Sequence, residues 1–351
     1  MSSLFTVDSP PTPATRFQGS KHKLLGWLWT HLRKLPFESC LDAFSGSGCV
    51  SHFLKARGKS VTANDLLVSS MLNARALVEN DDVRLSEDDL RWIASRQGAV
   101  RYDDLISRTF DGIYFTAAEN AWLDVVAQNI PRLTSRYKQA MAYHALFQSA
   151  MAKRPYNLFH RCNLYMRLAQ VQRSFGNKTT WDKPFDEHLR DFAAEANAAV
   201  FAGPACRAIS GNAGDVTGEF DLVYIDPPYI NGRGVGVDYH GFYHFLEGLA
   251  DYPNWPQKID PRSKHRRLMP IRSPWTNPAA IAAAFAELFD RHRRSILAVS
   301  YRSDGIPSPA ELAALLKMAK KHVEVHTLDR RYQYALSTNA KSSEILIVGK
   351  D

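Results

Sequence analysis

Residues 220–229 read FDLVYIDPPY. The apolar run ends in an acid, two prolines and a tyrosine. Prolines cannot continue a hydrogen-bonded ladder, so the pattern predicts a buried strand that stops at Asp226. Similar short apolar runs occur on both sides of it. CLDAF at 40–44 enters a turn rich in glycine, SGSG, and helical spacing resumes through Val50–Ala56. Residues 59–64 read as a further strand ending in Asn64-Asp65, and CRAIS, SILAVSYR, HVEVHTL and EILIVG follow after residue 205. Upstream, Leu24, Leu25, Leu28, Leu32 and Leu35 fall near helical spacing. A strand, turn, helix and strand in that order open a doubly wound α/β sheet.

The middle of the chain differs. Residues 72–200 lack clear strands, and LSEDDLRWIASRQ, AENAWLDVVAQNI and SRYKQAMAYHALFQSAMAKR carry helical periodicity. The sequence therefore predicts one α/β domain built from residues 1–80 and 205–351, interrupted by a mostly helical, basic insertion at 81–204. Residues 1–15, with three prolines, read as an irregular lead-in.

Composition narrows the class. The 351 residues are 45% apolar and 23% charged, enough for a large core without staples. No apolar run approaches the ~20 residues that span a bilayer, and the N-terminus does not resemble a secretory signal. Cysteines 40, 49, 162 and 206 form no CxxC pair, which points to reduced cytoplasmic thiols and to no metal; His160 and Cys162 find no second ligand pair. The formal charge of +8 favours a polyanion as partner. Residues 131–190 hold eleven Lys/Arg against three Asp/Glu, and residues 258–272 hold six against one.

Two stretches carry chemistry. Phe44-Ser45-Gly46-Ser47-Gly48 follows a strand, where glycines let backbone approach a ligand, and the next strand ends in Asp65, placed to hold ribose hydroxyls. The third glycine of a dinucleotide fingerprint is missing, so a nucleoside-type cofactor fits better than a dinucleotide oxidoreductase. Asp226-Pro227-Pro228-Tyr229 suits an exocyclic amine on a base. The Asp226 carboxylate and Pro227 carbonyl can accept the two amine hydrogens and so localise the nitrogen lone pair. The prolines stiffen the turn, and Tyr229 can stack on the base.

The order Gly19-Ser20-Lys21, LDAFSGSG, VTAND, VYIDPPY resembles the Dam-type, alpha-arranged DNA adenine N6-methyltransferases that use S-adenosylmethionine. The resemblance covers residues 16–80 and 205–351. It implies a Rossmann-like seven-stranded methyltransferase sheet with a mostly helical target-recognition domain. It also implies that Phe17 and Lys21 line cofactor and target base, that Asp42 to Gly48 (with Phe44, Ser45 and Gly46) form the methionine-binding loop, and that Asp65 holds the ribose. For the cofactor adenine, Asn212 has the family's spacing and Asp215 its chemistry, so both are candidates.

The implied partner is double-stranded DNA, with the adenine flipped out of the stack, and no membrane. Candidate DNA contacts are Arg154, Tyr156, Asn157, Arg161, Asn177 and Lys178 in the insertion, and Arg233, Tyr239 and His240 in a glycine-rich loop that could close over DNA. Ser300-Tyr301-Arg302-Ser303-Asp304 ends a strand at the expected site edge, and Arg330-Arg331-Tyr332 precedes the last strand. Cytosine N4 or an RNA amine would suit the same chemistry, and a DNA-binding regulator without catalysis is the reading from another class. Such enzymes often accompany a restriction endonuclease acting separately, and a solitary role is equally open.

Overall fold

A computed structural model describes residues 15–169, 178–328 and 342–351. All seven expected strands are present: β1 (Ser39–Asp42), β2 (Ser60–Asp65), β3 (Arg207–Ser210), β4 (Leu222–Ile225), β5 (Ile296–Arg302), β6 (His322–Thr327) and β7 (Glu344–Lys350). They form a single sheet in the order β3-β2-β1-β4-β5-β7-β6. The first five in that order run parallel, and β7 is antiparallel to both β5 and β6. The order reverses between β1 and β4. In an open α/β sheet that reversal leaves a crevice beyond the carboxyl ends of the strands.

Helices α1 (Leu25–Leu32), α2 (Cys49–Lys55) and α3 (Val68–Ala74) accompany the first two strands. Between β2 and β3 lie α4 (Glu87–Ala94), α5 (Leu105–Thr109), α6 (Ala117–Asn129), α7 (Arg136–Ala152), α8 (Leu164–Leu168), α9 (Lys178–Asp182) and α10 (Phe185–Ala199). After β4 come α11 (Tyr239–Ala250), α12 (Trp255–Lys258), α13 (Ile281–Arg291) and α14 (Pro309–Ala319). None of the described helices is long and apolar enough to cross a membrane.

The central strands are buried on both faces, which is why they read as unbroken apolar runs. Along β4, Leu222 and Tyr224 pack with α1 and α2, whereas Val223 and Ile225 pack with α13 and α14. Along β7, Leu346 and Val348 join the first layer and Ile345 and Ile347 the second. This alternation fixes the strand register, because a slip by one residue would exchange the two layers.

The helices between β2 and β3 share one apolar core with α3 and α11. Leu72 of α3, Phe147 of α7, Phe192 of α10 and Phe245 of α11 belong to the same cluster. Glu247 of α11 also accepts from the Val68 and Ser69 amides at 3.0 and 2.8 Å, capping α3. The helical segment is thereby fixed to the sheet beside the crevice. At this junction Gly248 of α11 meets the fully buried Trp255, and a Cβ on Gly248 would lie 1.9 Å from the indole.

In an exposed helix Gly→Ala gains about 1 kcal/mol. Here the overpacking dominates, so Gly248→Ala should lose about 2 kcal/mol in denaturant unfolding, the opposite sign.

Candidate active site

Three acids stand at the ends of three neighbouring parallel strands: Asp42 on β1, Asp65 on β2 and Asp226 just after β4. They line one cleft that also takes in Phe17, Phe44 and Asn212. Burial is the main force on all three carboxyls, and it pushes each pKa above its ordinary value.

The glycine-rich turn is held from both sides. Gly46 and Gly48 take positive φ angles of 51° and 76°, which only glycine adopts readily. The Ser45 amide donates to the Asn64 carbonyl at 2.8 Å, and the Gly46 amide donates to Asp65 Oδ2 at 2.8 Å. Asp65 Oδ1 accepts from the Leu67 amide at 2.9 Å. Burial raises the Asp65 pKa to about 6 against these bonds. Asp42 is more isolated. Its Oδ2 accepts from Ser51 at 2.7 Å, while Oδ1 is buried with no partner, as is Ser45 Oγ beside it on the cleft wall. Burial, with added repulsion from Asp226 and Asp65, raises the Asp42 pKa to about 7.

Asp226 sits in a buried charge cluster. Tyr229 donates to its Oδ1 at 2.9 Å, and Lys21 Nζ lies 3.2 Å from the same oxygen. Lys21 also donates to Glu344 Oε1 at 2.6 Å and bonds the Tyr229 hydroxyl. Glu344 is fully buried and accepts from Ser300 Oγ at 2.7 Å, and its Oε1 lies 3.0 Å from the Tyr229 hydroxyl as an alternative acceptor for that one proton. Burial opposes the Lys21 charge, but the two carboxylates outweigh it and hold its pKa above the ordinary lysine value. For Asp226, burial and Glu344 raise the pKa and Lys21 lowers it, leaving it near about 6.

The N-terminal residues reach the cleft by stacking. Phe17 packs against both Tyr239 and Tyr243 of α11, with ring centroids 5.7 and 4.4 Å away, and the Gln18 amide donates to the Tyr243 hydroxyl at 2.7 Å. Gly19 has φ 79°, and a Cβ there would lie 2.5 Å from the Tyr239 hydroxyl. This places Phe17, Lys21, Tyr239 and His240 on one wall.

The structure sorts the remaining candidates. Pro227, Pro228, Tyr229, Phe44, Ser45 and Gly46 line the cleft, and Gly48 caps α2 behind the turn. Asn212 lines it as well. Asp215 does not: it sits behind, within 3.3 Å of the Asn212 amide. Lys21 is engaged by Asp226 and Glu344, so its ammonium belongs to the acid cluster and not to the cofactor wall alone.

Arg154 is a clear correction. It is 1% exposed, and its guanidinium donates to the carbonyls of Leu158 (3.2 Å), Tyr114 (3.4 Å) and Arg161 (2.8 Å), so it cannot read a base edge. Burial pushes its pKa down to about 9. Lys178 is paired with Asp182. Tyr156, Asn157, Arg161 and Arg233 lie outside the cleft lining; Tyr156, Arg161 and Arg233 are exposed, and Tyr156 and Asn157 take positive φ angles of 63° and 59°. Asn177 and Arg330-Arg331-Tyr332 lie outside the described residues. Among the described residues no group of acids, histidines and cysteines is placed to hold a metal.

Sequence reasoning missed Glu344 and Trp275. Glu344 carried one signal, an acid opening an otherwise apolar strand. Its position follows from β7 running antiparallel, which sets Glu344 beside Arg302 at the carboxyl end of β5. Trp275 is buried edge-on against Phe44 at 4.8 Å and had no motif to mark it.

The chain matches the D12 class N6 adenine-specific DNA methyltransferase family over residues 17–254. It is 25% identical to the Type II methyltransferase M2.HphI of Haemophilus parahaemolyticus across 97% of this chain and 99% of that protein. It is 24% identical to the modification methylase StsI of Streptococcus sanguinis over 80% of this chain, a match that spans 42% of that protein.

Two measurements test the electrostatics. A carboxyl whose pKa is higher folded than unfolded loses stability as pH rises between the two values. Asp42→Asn, compared with the parent, should therefore gain about 1 kcal/mol per pH unit between pH 5 and 7 and level off above that. A flat difference would count against a buried, unpartnered Asp42. Separately, the acid limb of kcat/KM should lie near pH 6 in the parent and shift to lower pH in Glu344→Gln, because removing a negative neighbour favours the ionised Asp226.

Proposed function

Since the chain belongs to the D12 class of N6 adenine-specific DNA methyltransferases, we propose that it takes its methyl group from S-adenosylmethionine and delivers it to an adenine swung out of duplex DNA. The family decides among the amines left open by the sequence and sets aside a binder without catalysis. When bound, S-adenosylmethionine supplies a methyl group activated by a sulfonium. The cleft suits that cofactor in one respect above all. Asp42 Oδ1 and Ser45 Oγ are buried polar atoms without partners at the glycine-rich turn, and an unpartnered buried acceptor is costly until a donor such as an ammonium meets it. Asp65 and Asn212 would complete the hold at the ribose and the adenine.

The Asp226 cluster carries the reading of the chemistry. Lys21 and Tyr229 fix Oδ1, which leaves Oδ2 and the Pro227 carbonyl to accept the two amine hydrogens. Two such acceptors localise the nitrogen lone pair for in-line attack. Catalysis then rests on positioning and fixed charge. Asp226 or water takes the proton released after transfer. An adenine amine inside the stack is out of reach of these groups, so the base must leave the duplex first.

On this reading residues 1–80 and 205–351 form the catalytic domain, and residues 81–204 contribute target recognition. The names of the relatives favour a restriction–modification setting with a separate endonuclease, and a cytoplasmic location goes with it.

The test is transfer of tritiated methyl from S-adenosylmethionine to unmethylated plasmid DNA, followed by nucleoside analysis. Label should appear in N6-methyladenine, and Asp226→Ala should reduce transfer at least ~1000-fold while DNA binding persists. Label in N4-methylcytosine, or none from a protein that binds the cofactor, would overturn the reading.

A further inference from the structure

The excess positive charge is not spread evenly. In the helical segment the cations are largely matched by acids: Arg136 with Glu79, Lys138 with Asp89, Lys153 and Arg167 with Glu119, Lys183 with Asp191, and Arg190 with Asp186. The loop after α12 differs. Lys258 and Arg262 have acidic partners and the Arg267 charge acts on Asp260 from beyond ion-pair distance, but among the described residues no carboxylate forms an ion pair with Lys264, Arg266, Arg267 or Arg272, nor with Arg161 nearby.

This loop is a built element. Residues 259–268 fold back on themselves through a bridge between Ile259 and Leu268, with the Asp260 amide donating to the Arg267 carbonyl at 2.8 Å. Arg266 turns the tip with φ 56°. Leu268 is buried in the large core, and the Tyr114 hydroxyl lies within hydrogen-bond distance of the Phe159 carbonyl (2.6 Å) and the His265 carbonyl (3.0 Å). Tyr114 also lies against the Arg154 guanidinium, which holds the Arg161 carbonyl. One buried floor therefore supports two loops distant in sequence, and both carry unmatched cations outward.

Beyond the tip the chain runs toward the cleft. Met269 and Ile271 are 51% and 52% exposed, and Ile271 stands in the cleft wall with Ser273 and Trp275. An exposed branched apolar side chain at the lip of a site for a base, next to unmatched cations, suits a stack of bases bordered by phosphates.

We infer that the loop 259–268, with Arg161 beside it, docks on the phosphates flanking the target site, and that Ile271 enters the base stack at the lip and helps to hold the duplex open. The inference rests on the reading that duplex DNA is the substrate. It moves part of the DNA-binding surface out of the helical segment and onto the chain after Asp226-Pro227-Pro228-Tyr229.

The test uses the full chain and a duplex carrying its site, mapped by sequencing modified DNA. Arg266→Gln/Arg267→Gln should weaken duplex binding about tenfold at physiological salt and reduce the slope of log affinity against log salt by about 2. Ile271→Ala should slow methylation of the matched duplex about tenfold and recover most of the loss when the target adenine faces an abasic position, where less unpairing is needed. Thermal melts like the parent's would show that these surface changes leave the fold intact. An unchanged salt slope, or an equal loss on both duplexes, would overturn the surface while parental methyl transfer to plasmid DNA persists. Absence of parental transfer would instead remove the DNA reading, and this surface with it.

Discussion

One buried ammonium ties together parts of the chain that lie far apart in sequence. Lys21 bonds Glu344, 323 residues away, and Tyr229, 208 residues away. Removing one partner from a buried pair typically costs about 3–5 kcal/mol, because the other charge is left in a poor solvent. The arrangement around Lys21 depends on this. With Lys21 in place, the buried Glu344 and the cleft-lining Asp226 can approach one another, and the turn after β4 is held against the start of β7. Without it, Asp226 and Glu344 would repel each other, and one would take up a proton. The stack of Phe17 on α11 then reads as the means of bringing Lys21 to this position.

The centre of the sheet was legible because its strands are buried on both faces. Runs such as LVYI and EILIV have no alternative in which their apolar side chains face water, whereas the edge strands β3 and β6, largely exposed, were marked by short runs with β-branched residues between breaks. The glycine-rich turn and Asp226-Pro227-Pro228-Tyr229 were legible for another reason. They sit where a strand must stop, and glycine and proline there leave a local mark that needs no tertiary knowledge. Asp65 and Asp226 were named for their place at strand ends and Asp42 through the family resemblance, and parallel pairing brings all three to one edge of the sheet.

What escaped was set by direction and burial. Glu344 reaches the site only because β7 runs against its neighbours, and a strand's direction leaves no trace in its own composition. Arg154 failed in the opposite sense. Its neighbours Pro155, Tyr156 and Asn157 look like surface text, yet the guanidinium fills a buried gap among three carbonyls and the Tyr114 ring. The charge count misled in the same way. Residues 131–190 carry a large surplus within their own stretch, but their cations pair with acids such as Glu79, Asp89 and Glu119 from outside it. Net charge along a sequence window says little about field when partners come from elsewhere in the fold.

Charge also sorts the cleft by depth. Its floor holds Asp42, Asp65 and Asp226 beside the ammonium of Lys21, with Glu344 buried behind Lys21, while unmatched cations stand outside, beyond Ile271. On the proposed reading, phosphates would be drawn to the cations and repelled by the acids, so the backbone of the nucleic acid would stay at the rim while its base enters. A positively charged guest is drawn the other way. Asp42, Asp65 and Asp226 have pKa values raised to between about 6 and 7, chiefly by burial, with mutual repulsion adding to it for Asp42. A cation among them lowers those values again. A cationic methyl donor held by these acids would thus favour the ionised Asp226 that the amine needs, and the two halves of the proposed reaction would be coupled through Asp42, Asp65 and Asp226.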